Sequence, residues 1–432
     1  MADQFSISGE SITNDRFTNP IDNLPQSNDP NYAVSATVNL GGAIPEDVTV
    51  KEVVVGESLL NPSAHTVVTL QSAMYASPQN WDLYRCQPIS IYISDSNKDQ
   101  SNPRTMQINQ VIYRCDNRKF TNLNTGKVEE LSLHSIDNSI LMDAETIWEK
   151  SWKCATPGAV VNEALKKIGV TRAVFSQGGT GPGRPYVAES IHPLQVIQQQ
   201  ANVALHNGTD PSYLHYMTIR EQTGENVHNF RALSELMGNH TPYDIFAADT
   251  AISGGTAFSD AYNKDSFAPL PMRTAVTFNF PCDYDVLSDV LNGINCGGKY
   301  INDVKTFNLA SGEFSSVMGA LSTAGNILKS LSNAGTAQQQ NVCETHVEKW
   351  LLKRQARMGL VEKEKIALRV TLPWSPWLHV GQQIYFHWNN RYNPSIEQYG
   401  SGKYLILHMT HNIQFGGYAV TTLDCIANTY GS

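Results

Sequence analysis

QIYFHW (residues 383–388), YLILHMTHNI (404–413) and YAVTTLDCI (418–426) are three short runs in which β-branched or aromatic residues alternate with polar ones. Alternation with period two puts apolar side chains on one face of a strand, so the runs predict consecutive antiparallel strands, the last two joined at Gly416-Gly417. The first third of the chain repeats the layout. ISIYIS (89–94), QINQVIYRC (107–115) and VEELSLHSI (128–136) follow in the same order and at similar lengths, although the residues mostly differ. Two β-segments of related layout predict a duplicated module, which would let a threefold assembly present six similar units around its axis.

Further strands extend both modules: VTVKEVVVGESLL (48–60) and HTVVTLQSAMY (65–75) in the first, IALRVTLPW (366–374) in the second. Turn clusters at 95–97 and 122–126 punctuate the first module. Between the modules the period changes to that of a helix. In AVVNEALKKIGV (159–170), Val160, Val161, Ala164, Leu165 and Ile168 recur at helical spacing and Gly169 stands where a C-terminal cap belongs. In HPLQVIQQQANVAL (192–205), Pro193 suits the first turn and Leu194, Ile197, Ala201 and Leu205 share a face. YLHYMTIRE (213–221) and the short helical FRALSELMG (230–238) complete a mixed α/β middle domain.

The chain of 432 residues exceeds a single core, and roughly two to four domains are expected. Charged residues make up 16%, below the usual quarter or so, and Asn, Gln, Ser, Thr and Tyr fill the gap, which suits strands and protein interfaces. A formal charge of −9 argues against a protein that coats nucleic acid, because phosphate affinity comes from clustered Lys and Arg. Seven scattered cysteines without a Cys-x-x-Cys pair indicate neither a disulfide framework nor a zinc site, and free thiols are expected. No apolar run reaches the roughly 18 residues of a membrane span, and the N-terminus lacks a signal-peptide pattern, so a cytoplasm or a particle assembled there is expected.

Each chemically suggestive motif has a bland reading. Gly178 to Pro185 has the glycine density of a phosphate loop, but Arg184 and Pro185 replace Lys and Ser or Thr, and Pro182 removes a donor; a flexible loop is expected. His408 and His411 should point to opposite faces of a strand, which disfavours a metal site. His134, Ser135 and Asp137 are triad residue types, yet neighbours on a strand diverge. Glu129 and Glu130 read as a solvated strand edge rather than paired acid and base. No catalytic residue, cofactor or metal ligand is assigned, and a non-enzymatic protein is expected. In LPWSPWLHVG (372–381), Pro373 and Pro376 keep the segment irregular, making Trp374, Trp377 and His379 a candidate partner interface, against the reading that the tryptophans plug the end of a barrel.

LHVGQQIYFHW (378–388) with SGKYLILHMTHNI (401–413) and GGYAVTTLDCIAN (416–428) resembles the last barrel of the baseplate hub family of contractile-tailed phages, whose relatives include the base of type VI secretion spikes. HPLQVIQQQANVA (192–204) and the stretch 213–237 are similar to the family's middle domain, and 50–72 resembles the start of its first barrel. The resemblance implies an α+β, β-rich chain with two similar antiparallel tube-type β-barrels, a mixed α/β middle domain and a helical or irregular insertion. The expected divisions are an extended N-terminal arm (1–40), first barrel (41–153), middle domain (154–254), Gly/Ser/Asn-rich insertion and connecting segment (255–345), and a helix plus second barrel (346–432). It further implies a homotrimeric ring in the virion tail, spike protein below, tube initiator and tape-measure protein above, and DNA passing through the lumen without specific binding. The other functional classes weighed are a tail-associated cell-wall hydrolase and a receptor- or glycan-binding tail module. The arm and residues 312–340 have no counterpart in the family pattern.

Overall fold

The computed structural model describes residues 34–41, 48–72, 86–95, 104–123, 126–238, 240–247, 270–281, 307–308, 313–314, 354, 358–359, 361–390, 393–415 and 418–427. Most of the expected N-terminal arm and of the expected insertion, including residues 315–340, lies outside them. The exception in the arm is Val34–Leu40, which forms strand β1: Val38 and Leu40 face inward with period two, and the strand pairs antiparallel with a later one.

The first lobe contains β1, β2 (Val48–Ser58), β3 (His65–Ser72), β4 (Pro88–Asp95), β5 (Thr105–Leu123) and β6 (Gly126–Ile136). Helix α1 (Asn138–Glu145), capped by the Asp137 side chain on Ser139 N–H, leads into the middle module. There follow β7 (Trp148–Ala155), α2 (Pro157–Lys167), β8 (Ala173–Phe175), β9 (Arg184–Ile191), α3 (Pro193–Val203), β10 (Tyr213–Arg220), β11 (Glu225–Ala232) and α4 (Leu233–Leu236). The second lobe is built from β12 (Tyr243–Phe246), α5 (Leu270–Arg273), β13 (Thr277–Asn279), β16 (Leu368–Pro373) and β17 (Gln383–His387), and between β13 and β16 in the chain stands a separate ribbon of β14 (Phe307–Asn308) and β15 (Glu313–Phe314). A second ribbon, β18 (Asn389–Asn390) and β19 (Asn393–Glu397), precedes β20 (Gly402–Gln414) and β21 (Ala419–Ile426).

Gly169 closes α2 and Pro193 opens α3, as the sequence predicts. Thr156 caps α2 by accepting from Ala159 N–H, Pro157 occupies its first turn, and Gly169 takes a φ of +76° beyond its C-terminus. Gly169 N–H then donates to Lys166 O and Val170 N–H to Leu165 O, satisfying two carbonyls the helix leaves open. The apolar faces of α2 and α3 meet Tyr213 and Phe230 in a core of their own.

The fold class is α+β and β-rich. In place of two separate sheets, both β-segments belong to one 12-stranded sheet. The first lobe has strand order β1-β4-β5-β6-β3-β2. The second has β12-β17-β20-β21-β16-β13, the same order with β12 for β1, β13 for β2, and so on through the set. The one difference of sense is that β12 runs parallel to β17 where β1 runs antiparallel to β4. The sheet is continuous because β20 changes partner along its length. Gly402–Leu405 pair with β17, whereas His408–Gln414 pair with Ser58–Glu52 of β2.

A buried arginine, ion-paired within the first lobe, fastens the two lobes through the Trp374 carbonyl. Arg104, immediately before β5, and Asp95, at the end of β4, are both fully buried with Nε 3.0 Å from the carboxylate. The guanidinium also donates to Trp374 O at 3.1 Å and lies 5.7 Å from the centre of the Trp374 ring. Breaking a buried pair leaves a charge with no water to solvate it, so Asp95→Asn is expected to destabilise the chain by about 3–5 kcal/mol. Chemical denaturation would measure this, and a loss below about 1 kcal/mol, the scale of an exposed pair, would contradict it.

Candidate functional site

The irregular segment between β16 and β17 lies inside the molecule. Trp374 is 0% exposed, Trp377 8% and His379 2%. Trp374, although it follows a strand of the second lobe, packs in the core of the first; Trp377 packs in the core of the second. These side chains therefore make intramolecular contacts, Trp374 and Trp377 with the two apolar cores and His379 with buried carboxylates.

His379 is the centre of a buried polar knot. Its Nδ1 lies 3.4 Å from Glu57 Oε1 and its Nε2 3.1 Å from Glu221 Oε2. Glu57 also accepts from Ile219 N–H at 2.9 Å and Val380 N–H at 3.4 Å, while His379 N–H donates to Gln382 Oε1 at 3.0 Å. The knot thus draws on β2, on β10 and the turn after it, and on the segment before β17. His411 of β20 is buried alongside, its Nδ1 2.9 Å from Thr421 Oγ1. Burial alone would raise the Glu57 carboxyl, but the His379 charge and hydrogen bond, with the Ile219 amide, outweigh it and hold the carboxyl below its usual range. Burial depresses His411 to about 4 despite the attraction of Glu57, so it stays neutral beside a charged neighbour.

The sequence carried a signal for this site. Along β2, Val53, Val55 and Glu57 share the inward face, so the period-two pattern places an acid where an aliphatic residue belongs. Such a residue needs buried donors, and sequence alone does not say which chain segment brings them.

The other motifs stay apart or serve the fold. Asp137, Ser139, His228 and His215 form a second buried network: Ser139 Oγ donates to Asp137, lies 3.2 Å from His228 Nε2, and His228 Nδ1 is 3.1 Å from His215 Nε2. Asp137 and Ser139 approach the same ring nitrogen, whereas a nucleophile, base and orienter need opposite nitrogens. His134 instead faces His65 and Asp116, and Ser135 donates to Gln110 Oε1. His411 is buried and His408 half-exposed.

Three expectations need correction. Glu129 and Glu130 are not at a sheet edge, because β6 lies between β3 and β5; Glu129 is buried and Glu130 pairs with Lys51 at 2.9 Å. The glycine-rich loop is packed rather than loose. Thr180 Oγ1 accepts from Gly158 N–H at 2.8 Å, taking a donor at the start of α2 that a phosphate would use, and Arg184 donates to Val203 O. The free-thiol expectation also changes: Cys86 and Cys425 are free, but Cys154 is disulfide-bonded. Among the described residues no group of three or more His, Cys, Asp or Glu is placed to hold a metal, and no helix is long and apolar enough to cross a membrane.

No family model and no curated protein matches the sequence. Similar solved structures include an E. coli component of the type VI secretion system, described as structurally similar to phage T4 tail proteins, at 13% identity and TM-score 0.48 over 90% of this chain and 76% of that one. The 43 kDa tail protein of prophage MuSo2 from Shewanella oneidensis is 9% identical, TM-score 0.47, over 92% and 99% of the two chains. A tail protein from Neisseria meningitidis is 10% identical, TM-score 0.49, over 91% and 96%. At this level no residue's role passes from those proteins to this one.

The buried histidines set the response to acid. His411 binds its proton near pH 4 in the fold against 6.5 as a free side chain, and burial next to His228 depresses His215 well below the same value. Between those limits the unfolded chain binds more protons than the folded one, so stability falls as pH falls from 6.5 towards 4. Denaturation midpoints measured across that interval should decline, and His411→Gln should flatten the decline; a slope identical to that of the parent chain would contradict the assignment.

Proposed function

We propose that this chain is the central hub of a contractile phage-tail baseplate, a structural ring in the virion joining tail tube and tape-measure protein to the spike. The observation that carries the reading is the repeated strand order of the two lobes on one continuous sheet. A threefold ring of such chains presents six similar β-modules, which is the match needed between a sixfold tube and a threefold spike. The local likeness of residues 378–428 and 192–237 to the hub family supports the same reading.

In this reading each lobe acts as a tube-type barrel. What supports closure in the second lobe is a backbone bridge between Phe246, at the end of β12, and Thr274, with Ala275 N–H donating to Phe246 O at 2.8 Å. That link brings the end of β12 towards the segment just before β13, at the opposite end of the strand order β12-β17-β20-β21-β16-β13, which is the direction closure would require. The net charge of −9 suits a lumen through which DNA slides without being held.

Light scattering on the purified full chain, alone and with the spike protein encoded beside it, tests the proposal. The expected mass is about three times the chain's 47.7 kDa, rising when the spike is added, with no retardation of duplex DNA at physiological salt. A chain that remains monomeric with and without spike would overturn it. So would muralytic activity lost on substitution of a single carboxylate.

A further inference from the structure

His379 occupies an unusual electrostatic position. Both ring nitrogens face carboxylate oxygens, Glu57 on one side and Glu221 on the other. An ionised carboxylate only accepts hydrogen bonds, so both contacts are made together when the ring carries two protons. The flanking acids belong to different parts of the fold: Glu57 to the strand that joins the lobes, Glu221 to the turn between β10 and β11 of the middle module. Two further titratable groups face the knot: His411 on β20 interacts electrostatically with both Glu57 and His379, and the buried Tyr216 on β10, whose phenol stays protonated across the alkaline range, interacts with Glu57.

We propose that Glu57, His379 and Glu221 form a pH-operated latch, which clamps the β10–β11 turn of the middle module against the seam between the lobes and releases it as the medium turns alkaline. Loss of one ring proton leaves a nitrogen lone pair facing a carboxylate, turning an attraction into a repulsion. Glu57, wholly enclosed, cannot turn to water, whereas Glu221 is 20% exposed and can. The turn carrying Glu221 is therefore the part that moves. Ile219 N–H, which donates to Glu57, and Gln107 N–H, which donates to Glu221 O at 2.7 Å, place the end of β10 directly against the first lobe, so the released contact is one between modules.

The direction in pH follows from which state binds the extra proton. The clamped form holds the ring proton and the released form gives it up, so clamping is complete on the acid side of the ring's transition and lost above it. Acid weakening through His411 is a separate effect on the other flank.

The full-length protein with histidines labelled at ring carbon Cε1 tests the latch by NMR, together with amide hydrogen exchange over residues 217–224 corrected for its intrinsic pH dependence. At about pH 7.5, where a free imidazole is mostly neutral, one buried histidine should remain doubly protonated. As the pH rises towards about 9.5 that signal should become neutral while exchange over 217–224 accelerates about tenfold or more. Glu221→Gln, which keeps the shape but removes one charge, should shift the same signal's transition by about one unit to lower pH, identifying it as His379, and should accelerate exchange already at about pH 7.5. His379→Gln should give fast exchange at every pH. A ring already neutral at about pH 7.5 would overturn the latch. So would deprotonation without faster exchange, or a Glu221→Gln protein indistinguishable from the parent in both readouts.

Discussion

Everything in this molecule hangs on where the second half of β20 finds its hydrogen bonds. β20 has 13 residues, whereas β17 has 5 and covers only its start. Backbone N–H and C=O groups in a buried strand must be paired, and on that side of β20 the partner for His408–Gln414 is β2. Leu59 N–H to Leu407 O and Phe415 N–H to Lys51 O carry the pairing past both ends of the ladder. One strand thereby belongs to two lobes, and neither lobe can rotate against the other without breaking a ladder.

The side chains of the seam change allegiance at one level. On β20, Met409 packs in the core of the second lobe and Ile413 in that of the first, with His411 between them on the same face. On β2, Val53 and Val55 pack in the first core and Leu59, just past its end, in the second, with Glu57 between. Each strand therefore places a buried ionisable group, Glu57 or His411, where the two apolar cores meet. A slip of one residue would turn Glu57 outward and expose the valines that precede it, so the same polar residues that cost desolvation also fix the register. Arg104, held by Asp95 and by the Trp374 carbonyl, performs the comparable fastening between the lobes beside the seam.

Strand and helix identities were legible because their signals are local. The meander β4-β5-β6 and its counterpart β17-β20-β21 follow from period-two alternation, and α2 from the helical spacing of its apolar residues and from Gly169. The seam was not legible, since pairing of residues 52–58 with 408–414 joins segments far apart in sequence, and both strands read equally well within their own lobes. Trp374, Trp377 and His379 stood out in the sequence, but a Pro-interrupted segment has no period from which to read burial, and their inward placement depends on the meeting of the two lobes. Val34–Leu40 went unread as a strand because the residues before it are polar and rich in proline steps, while its pairing partner, β4, lies some fifty residues on.

β10 shows why the middle module is part of the same mechanical unit. Its sequence, YLHYMTIR, is buried almost without alternation, a pattern expected of a strand covered on both faces. Tyr213 packs with the helices α2 and α3, Leu214 and Tyr216 with the second lobe, and Met217 and Ile219 with the first. A single strand of eight residues thus contributes to all three cores, and the amide of Ile219 reaches the buried Glu57 carboxylate at the point where two of them meet. Two β-lobes of equal strand order have no inherent way to be told apart or held at a fixed angle. The middle module does both: it gives each lobe a different set of neighbours, and through Ile219 it ties them where their cores meet.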